Sequence, residues 1–294
     1  MRHAFSLVST VLMVSWLGVS CTPEPPVSTD KLTIGVVSYG DSELSLEKYQ
    51  RLQNYLAEQT KIAFELEVAY NELQAVEQIQ RQNWSLVFAP PGLVAIASQK
   101  GYTQLFPLEN QGNAQHALIV VSADSGIETL SQLQDEVIAL GEPGSAAGYY
   151  LPLYDLYGLT LEEARFAPTP RTVLEWISEG EVTAGAIADV DFEQFKSEFG
   201  AENFEILHRS RAIPVGVVLV GAIDRNQEEF ITRIMQAAPA DIVSDARYIP
   251  SAPLPDYRTF IEIVNKVGPL EERVQQTPAI LTIDIDTEVI EPEE

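Results

Sequence analysis

The chain has 294 residues, 43 of them acidic and 18 basic, which leaves a formal net charge of −25 at neutral pH. A field of that sign repels phosphate backbones and excludes nucleic acid as a partner. A single cysteine excludes an intramolecular disulfide, and the histidines beyond the N-terminal stretch, His116 and His208, lie far apart with no thiol to join them. A structural zinc site is therefore not expected, nor is any cofactor, and core burial must support the fold.

Arg2 and His3 precede a mostly apolar run from Ala4 to Val19, followed by Ser20 and Cys21. A basic start, an apolar core too short to span comfortably and small residues at its end predict a signal peptide over residues 1–21. Leu17-Gly18-Val19-Ser20-Cys21 resembles a lipobox, with Gly18 where Leu is usual, so Cys21 is the expected lipidation site. Plain cleavage or a retained anchor is the alternative. Losing Arg2 with the leader shifts the net charge from −25 to −26. Residues 22–30, rich in proline and polar groups, read as a linker that lifts the folded part off the membrane. The remainder suits one large or two medium domains.

Strand-like and helix-like segments then alternate. Leu32–Val37 is a near-continuous apolar run, as in a strand covered on both faces. Leu44, Leu46, Tyr49, Leu52, Tyr55 and Leu56 recur at helical spacing, and residues 62–69 alternate as a second strand. Leu73, Val76 and Ile79 mark a helix, and Trp84–Ala89 a third strand, with Pro90–Gly92 read as a turn. The pattern restarts with strands at 117–121 and 137–140 around a short helix at 130–133. A glycine-rich turn, a Tyr/Leu helix, a helix at 172–177 and a strand at 182–188 follow. Residues 213–220 read as a strand returning to the first half, and Phe230, Ile231, Ile234 and Met235 open the closing helices.

Such alternation predicts an α/β fold of two lobes, each a mostly parallel sheet flanked by helices. Lobe 1 is expected to hold 31–115 with 221–270 and lobe 2 to hold 116–220, with residues 271–294 an acidic C-terminal tail. Two crossovers, near His116 and Ile213, make a hinge beside a cleft faced by strand ends and helix starts, where α/β folds bind ligands.

Five segments carry a further signal: Lys31–Gly40 (KLTIGVVSYG), Trp84–Pro91 (WSLVFAPP), Leu118–Ile127 (LIVVSADSGI), Leu140–Tyr149 (LGEPGSAAGY) and Val182–Asp191 (VTAGAIADVD). In order and spacing they resemble the phosphonate/phosphite/phosphate-type substrate-binding proteins of ABC transporters, over about Lys31 to Val267. The resemblance implies a type II periplasmic-binding-protein fold. It also implies a ligand held by hydroxyls and amides at Gly144–Gly148, where the family reads Gly-Ser-Thr-Ser-Gly. Ala146 and Ala147 replace two of those hydroxyls, Ala117 stands where the family often has Ser, Gln115 where it has Tyr, and Leu93 where it offers a phenol.

The segment's own chemistry points the same way. A strand ending in a Pro-Gly turn and opening a helix presents unpaired N–H groups and a positive dipole end. Ser145 adds a hydroxyl, although it is equally a helix N-cap, and Gly148 permits close approach. Arg171, following Pro170, is either a bidentate grip on an oxyanion or a solvated surface arginine. Tyr39 ends the first strand, where it closes over a ligand or packs on the rim. Pro91 and Gly92 are expected to face the ligand from lobe 1. His116 reads as a hinge-side donor or a packing residue. Asp189 matches a carboxylate that pairs with an ammonium in amine-bearing phosphonate binders, or else caps a turn. The four tyrosines from Tyr149 to Tyr157 read as core and surface of one helix rather than a stacking platform.

Catalysis is not expected. Asp189 and Asp191 share a face if extended, but no positioned base, nucleophile or metal set accompanies them, and no catalytic motif occurs. The expected function is capture of a small oxyanion-type ligand by a lipid-anchored monomer that serves an ABC permease. A sensory or accessory lipoprotein with the same fold is the alternative.

Overall fold

The computed structural model of the chain describes residues 31–38, 43–109 and 115–282. The expected leader, Cys21, the linker and Tyr39 lie outside the described residues. In chain order the first half holds β1 (Leu32–Val37), α1 (Glu43–Thr60), β2 (Phe64–Ala69), α2 (Glu72–Gln80), β3 (Leu86–Ala89), α3 (Pro91–Ser98) and β4 (Thr103–Pro107). The second holds β5 (Gln115–Ser122), β6 (Val137–Leu140), α4 (Leu151–Asp155), β7 (Thr160–Leu161), β8 (Glu163–Phe166), α5 (Pro170–Ser178), β9 (Ala184–Ala188), α6 (Asp189–Phe195) and β10 (Phe204–Ile213). A π-helical turn at Ala146–Tyr150 leads into α4. The chain then returns through β11 (Val217–Val220), α7 (Arg225–Gln236), α8 (Ala240–Ala246), α9 (Arg258–Val267) and β12 (Ala279–Ile280). Among the described residues no helix is long and apolar enough to cross a membrane.

Two five-stranded sheets result, in the orders β2-β1-β3-β11-β4 and β10-β5-β9-β6-β8. Both are mixed rather than mostly parallel. The strands the alternation identifies, β1 with β2 and β3, and β6 with β8 and β9, pair in parallel. The antiparallel pairings come from strands that carry the chain between lobes, β4, β5, β10 and β11. Every residue of β3 and β11 is buried, which is why both read as unbroken apolar runs.

Three expectations need correction. Val217–Val220 pairs with β3 and β4, so these residues belong to lobe 1, and the boundary falls before them. Residues 90–92 are not a free turn, because Pro91 opens α3, whose Gly92–Ala97 stretch is wholly buried. Proline at a first helical position has its φ preset, and a helix apolar all round is one enclosed on all sides. The tail begins later than expected. Val274, Ala279 and Leu281 are fully buried, and Ala279–Ile280 pairs with Leu161–Thr160 of lobe 2. Apolar residues interleaved among the acids supply that burial; residues 283–294 lie outside the described residues.

The crossovers run side by side. Leu108 N–H donates to Gly216 O at 2.8 Å, and Gln115 pairs with Ile213. The Tyr257 hydroxyl donates to Val215 O at 2.5 Å, tying the second crossover to the start of α9. One apolar cluster spans both lobes, joining Leu93 and Ile96 of α3 to Tyr149 of the π turn, Leu153 of α4, and Phe260 and Ile263 of α9.

At the mouth of that seam the lobes meet backbone to backbone. A Cβ on Gly92 would lie 1.9 Å from Gly144 O, and one on Gly144 would lie 2.8 Å from Glu72 Cβ. Gly144 also has φ +108, a region that disfavours side chains. The absence of two β-carbons is what lets the lobes close this far.

Two outcomes follow. Gly92→Ala has backbone as its obstacle, so the lobes must part; overpacking of this kind costs about 1–3 kcal/mol. Scattering should report a larger radius of gyration, while Gly268→Ala, which meets nothing within 4 Å, should not change it. An unchanged radius for Gly92→Ala would show that the contact does not set the lobe angle. Leu281→Ala should lower stability by about 2–5 kcal/mol in denaturant titration, whereas a change within about 0.5 kcal/mol, as at surface sites, would show that the segment does not hold lobe 2.

Candidate functional site

A cavity of about 580 Å³ lies between the lobes. Lobe 2 supplies most of its wall through three strand-to-helix connections: Gly141, Glu142 and Gly144–Gly148 after β6, Ala167–Arg171 after β8, and Ala186–Ala188 with Val190 and Asp191 around the end of β9. Lobe 1 adds Glu72 from the start of α2 and Pro90 and Pro91 from the start of α3. Gln115 and Ile213 of the crossovers close the back. Strand ends and helix starts thus converge on one space, as at other α/β ligand sites.

The glycine-rich connection is held in shape by its own hydrogen bonds. Gly141 N–H donates to Gly148 O at 2.8 Å, and Ser145 N–H to Glu142 O at 3.1 Å. Ser145 caps the π turn: its Oγ accepts from Gly148 N–H at 3.0 Å, and its carbonyl accepts from Tyr149 and Tyr150 N–H at 3.2 and 3.1 Å. Gly144's backbone hydrogen-bonds to the Tyr150 hydroxyl. The N–H groups of Ala146 and Ala147 have no acceptor among the described residues. With the Ser145 O–H they are donors of the loop that have no acceptor among the described residues.

Each expected site residue can now be placed. Pro91, Ser145, Ala146, Ala147, Gly148 and Arg171 line the cavity. Gly92 packs on Gly144 instead. Arg171 is committed elsewhere: Nε donates to Glu198 at 2.8 Å, one terminal nitrogen to Glu175 at 3.2 Å, and the guanidinium lies 4.9 Å from the Phe199 ring centre. It stands at the wall already neutralised. His116 and Asp189 are outside the lining and pair with each other at 3.3 Å, and Arg209 meets the same Asp189 oxygen at 3.0 Å. That cluster joins β5, β10 and the start of α6 beside the hinge. Leu93 is fully buried in the core, so its position offers nothing to the cavity. Tyr149 and Tyr150 are core residues in edge contact at 5.2 Å, and Tyr154 lies under Lys266 at 4.9 Å.

Sequence reasoning weighed Asp191 only for catalysis, beside Asp189, and did not single out Glu72 or Glu142. Glu72, Glu142 and Asp191 all line the cavity. Burial, with Asp189 nearby, pushes the Asp191 carboxyl up to about 6. Glu142 Oε2 is buried with no partner among the described residues. All three stand where a strand gives way to a helix or turn, and that position was the signal available. Among the described residues no group of three His, Cys, Asp or Glu is placed to hold a metal.

A family model described as the periplasmic phosphonate substrate-binding protein of ABC transporters matches residues 34–240. No curated protein sequence matches the chain. Among solved structures, XAC2383 of Xanthomonas citri, bound to ATP, is similar with TM-score 0.64 at 21% identity, over 80% of this chain and 94% of that one. PhnD1 of Prochlorococcus marinus, in complex with methylphosphonate, gives 0.60 at 14%, over 81% and 98%. The binding protein component PA3383 of a Pseudomonas aeruginosa ABC phosphonate transporter gives 0.57 at 13%, over 75% and 80%. Likenesses at such identities carry the fold alone, two α/β lobes of the periplasmic-binding-protein type. The family match covers most of the chain: the protein belongs to the phosphonate-type periplasmic substrate-binding proteins of ABC transporters, which bind solutes for a permease and are not enzymes.

Proposed function

We propose that the protein is a monomeric capture component, fixed to the membrane through an acylated Cys21, that takes a small ligand with an oxyanion-type head into the interlobe cavity. The observation that carries this reading is the pair of amides at Ala146 and Ala147, without an acceptor among the described residues, on the wall of the interlobe cavity. Two N–H groups at a helix start, joined by the Ser145 hydroxyl, suit one small oxygen-rich head group. The cavity's size suits a ligand of a few to a dozen heavy atoms. Closure around it is supported by the paired crossovers, which form a two-strand hinge, and by the glycine contact that lets the lobes meet.

The sensory or accessory alternative has one observation in its favour: the hydroxyls that the family uses are missing at Ala146 and Ala147, and Arg171 does not replace them. Reconstitution with the permease separates the two readings, since only a transport component raises its ATPase rate.

Ligand binding itself is tested by melting curves against methylphosphonate, phosphate, sulfate and 2-aminoethylphosphonate. A ligand at a hundredfold excess over its Kd adds about 2.7 kcal/mol, several degrees in Tm for a chain of this size. Ala146→Pro deletes one donor while keeping the helix start, because Ser145 already sits at ψ 124, as a residue before proline requires. Loss of a hydrogen bond to a charged group costs about 1.5–3 kcal/mol, so affinity should fall roughly 10- to 150-fold. Ser145→Ala should act in the same direction. Silence from all four compounds, with no compaction in scattering, would contradict the proposal.

A further inference from the structure

On the sequence pattern α9 falls in lobe 1 and the chain crosses between lobes twice. Its path after α8 differs. Tyr248 is fully buried in the lobe 1 core, its hydroxyl donates to Met235 O at 2.7 Å, and Ile249 N–H donates to Pro107 O at 2.9 Å. The chain is thus fastened to lobe 1 up to residue 249. By residue 279 it is fastened to lobe 2: β12 pairs with β7, Gly158 N–H donates to Leu281 O at 3.0 Å, and Leu281 N–H to Leu159 O at 2.9 Å. Between these two points lie a stretch with three prolines, Pro250, Pro253 and Pro255, and then α9.

We infer that α9 and residues 268–282 are a third interlobe connection, and that α9 belongs mechanically to lobe 2. The start of α9 does not decide the matter, since the Tyr257 hydroxyl is bonded to the second crossover. Its far end does. Lys266 Nζ stands 4.9 Å from the ring centres of both Tyr154 and Tyr157, and the Arg211 guanidinium lies 5.1 Å from the Tyr154 ring, so one stack of cations and rings joins α9, α4 and β10. Leu270 and Val274, just beyond, are fully buried. Towards lobe 1, α9 offers apolar packing on α3 and one exposed hydrogen bond, Gln99 Nε2 to Asn265 Oδ1 at 2.7 Å. Apolar contact is non-directional, and packed helices slide over each other at small cost, whereas strand pairing and a cation between two rings fix a position. Separation of the lobes is therefore taken up where α9 meets α3, with Gln99–Asn265 as the bond that breaks. None of this depends on what the cavity binds.

Amide hydrogen exchange on the full mature chain, read segment by segment by mass spectrometry, tests the assignment without a ligand. Leu52→Ala weakens the lobe 1 core and Leu174→Ala the lobe 2 core, both side chains being fully buried. Each substitution should speed exchange at least tenfold in the sheet of its own lobe, because the amides of one cooperative unit open together. Residues 258–267 should speed up with β6 and β9 in Leu174→Ala, and keep the wild-type rate in Leu52→Ala, where β1 and β3 respond. Acceleration of α9 with β1 and β3, with both substitutions alike, or with neither would overturn the inference. Should either variant fail to fold, Leu56→Val and Ile177→Val make smaller gaps in the same two cores and are read in the same way.

Discussion

The lobes are held against each other by the contact of Gly144's carbonyl with Gly92, and the rest of the site depends on it. A methyl carbon on Gly92 would collide with Gly144 O, and one on Gly144 would crowd Glu72 and Val76 of α2, so either would push the lobes apart. With nothing there, the start of α3 and the glycine-rich turn share one surface, and Glu72, Pro90 and Pro91 become part of a wall that lobe 2 otherwise builds alone. The apolar seam through α3, α4 and α9 continues this contact into the interior. Packing therefore permits the close approach of the lobes that outlines the cavity.

The two-lobed α/β plan was legible because its central strands are buried on both faces and read as apolar runs, and because Gly and Pro mark where they end. Leu32–Val37, Leu86–Ala89 and Val217–Val220 all announce themselves this way. β10 does not. It lies at the edge of its sheet, carries Glu205, His208, Arg209 and Arg211, and is interrupted by two register shifts, so its period is broken where a pattern would be sought. α3 escaped because Pro-Pro-Gly has turn chemistry, although the same residues begin a helix when apolar residues follow. Two-residue strands such as β12 depend on tertiary pairing and leave no local period to read.

The site was half legible for a related reason. Donors at Gly144–Gly148 follow from backbone geometry, which glycine and proline advertise. Carboxylates at helix starts are ordinary, since acidic side chains favour the positive end of the dipole. Nothing local separates Glu72 and Asp191, which line a cavity, from acids that merely sit at a cap. Only their convergence from both lobes on one cavity sets them apart. Arg171 shows the converse: its sequence position suits an anion grip, yet Glu198 lies within reach from another element and takes it.

The claim on which the account turns is that ligand meets the amides of Ala146 and Ala147. Selective ¹⁵N-alanine labelling and two-dimensional amide spectra, recorded with and without saturating 2-aminoethylphosphonate, address it directly. The account predicts that these two resonances move most, in the direction expected for hydrogen bonding to an anionic oxygen. Binding heat accompanied by fixed Ala146 and Ala147 resonances, with shifts at alanines elsewhere, would contradict it.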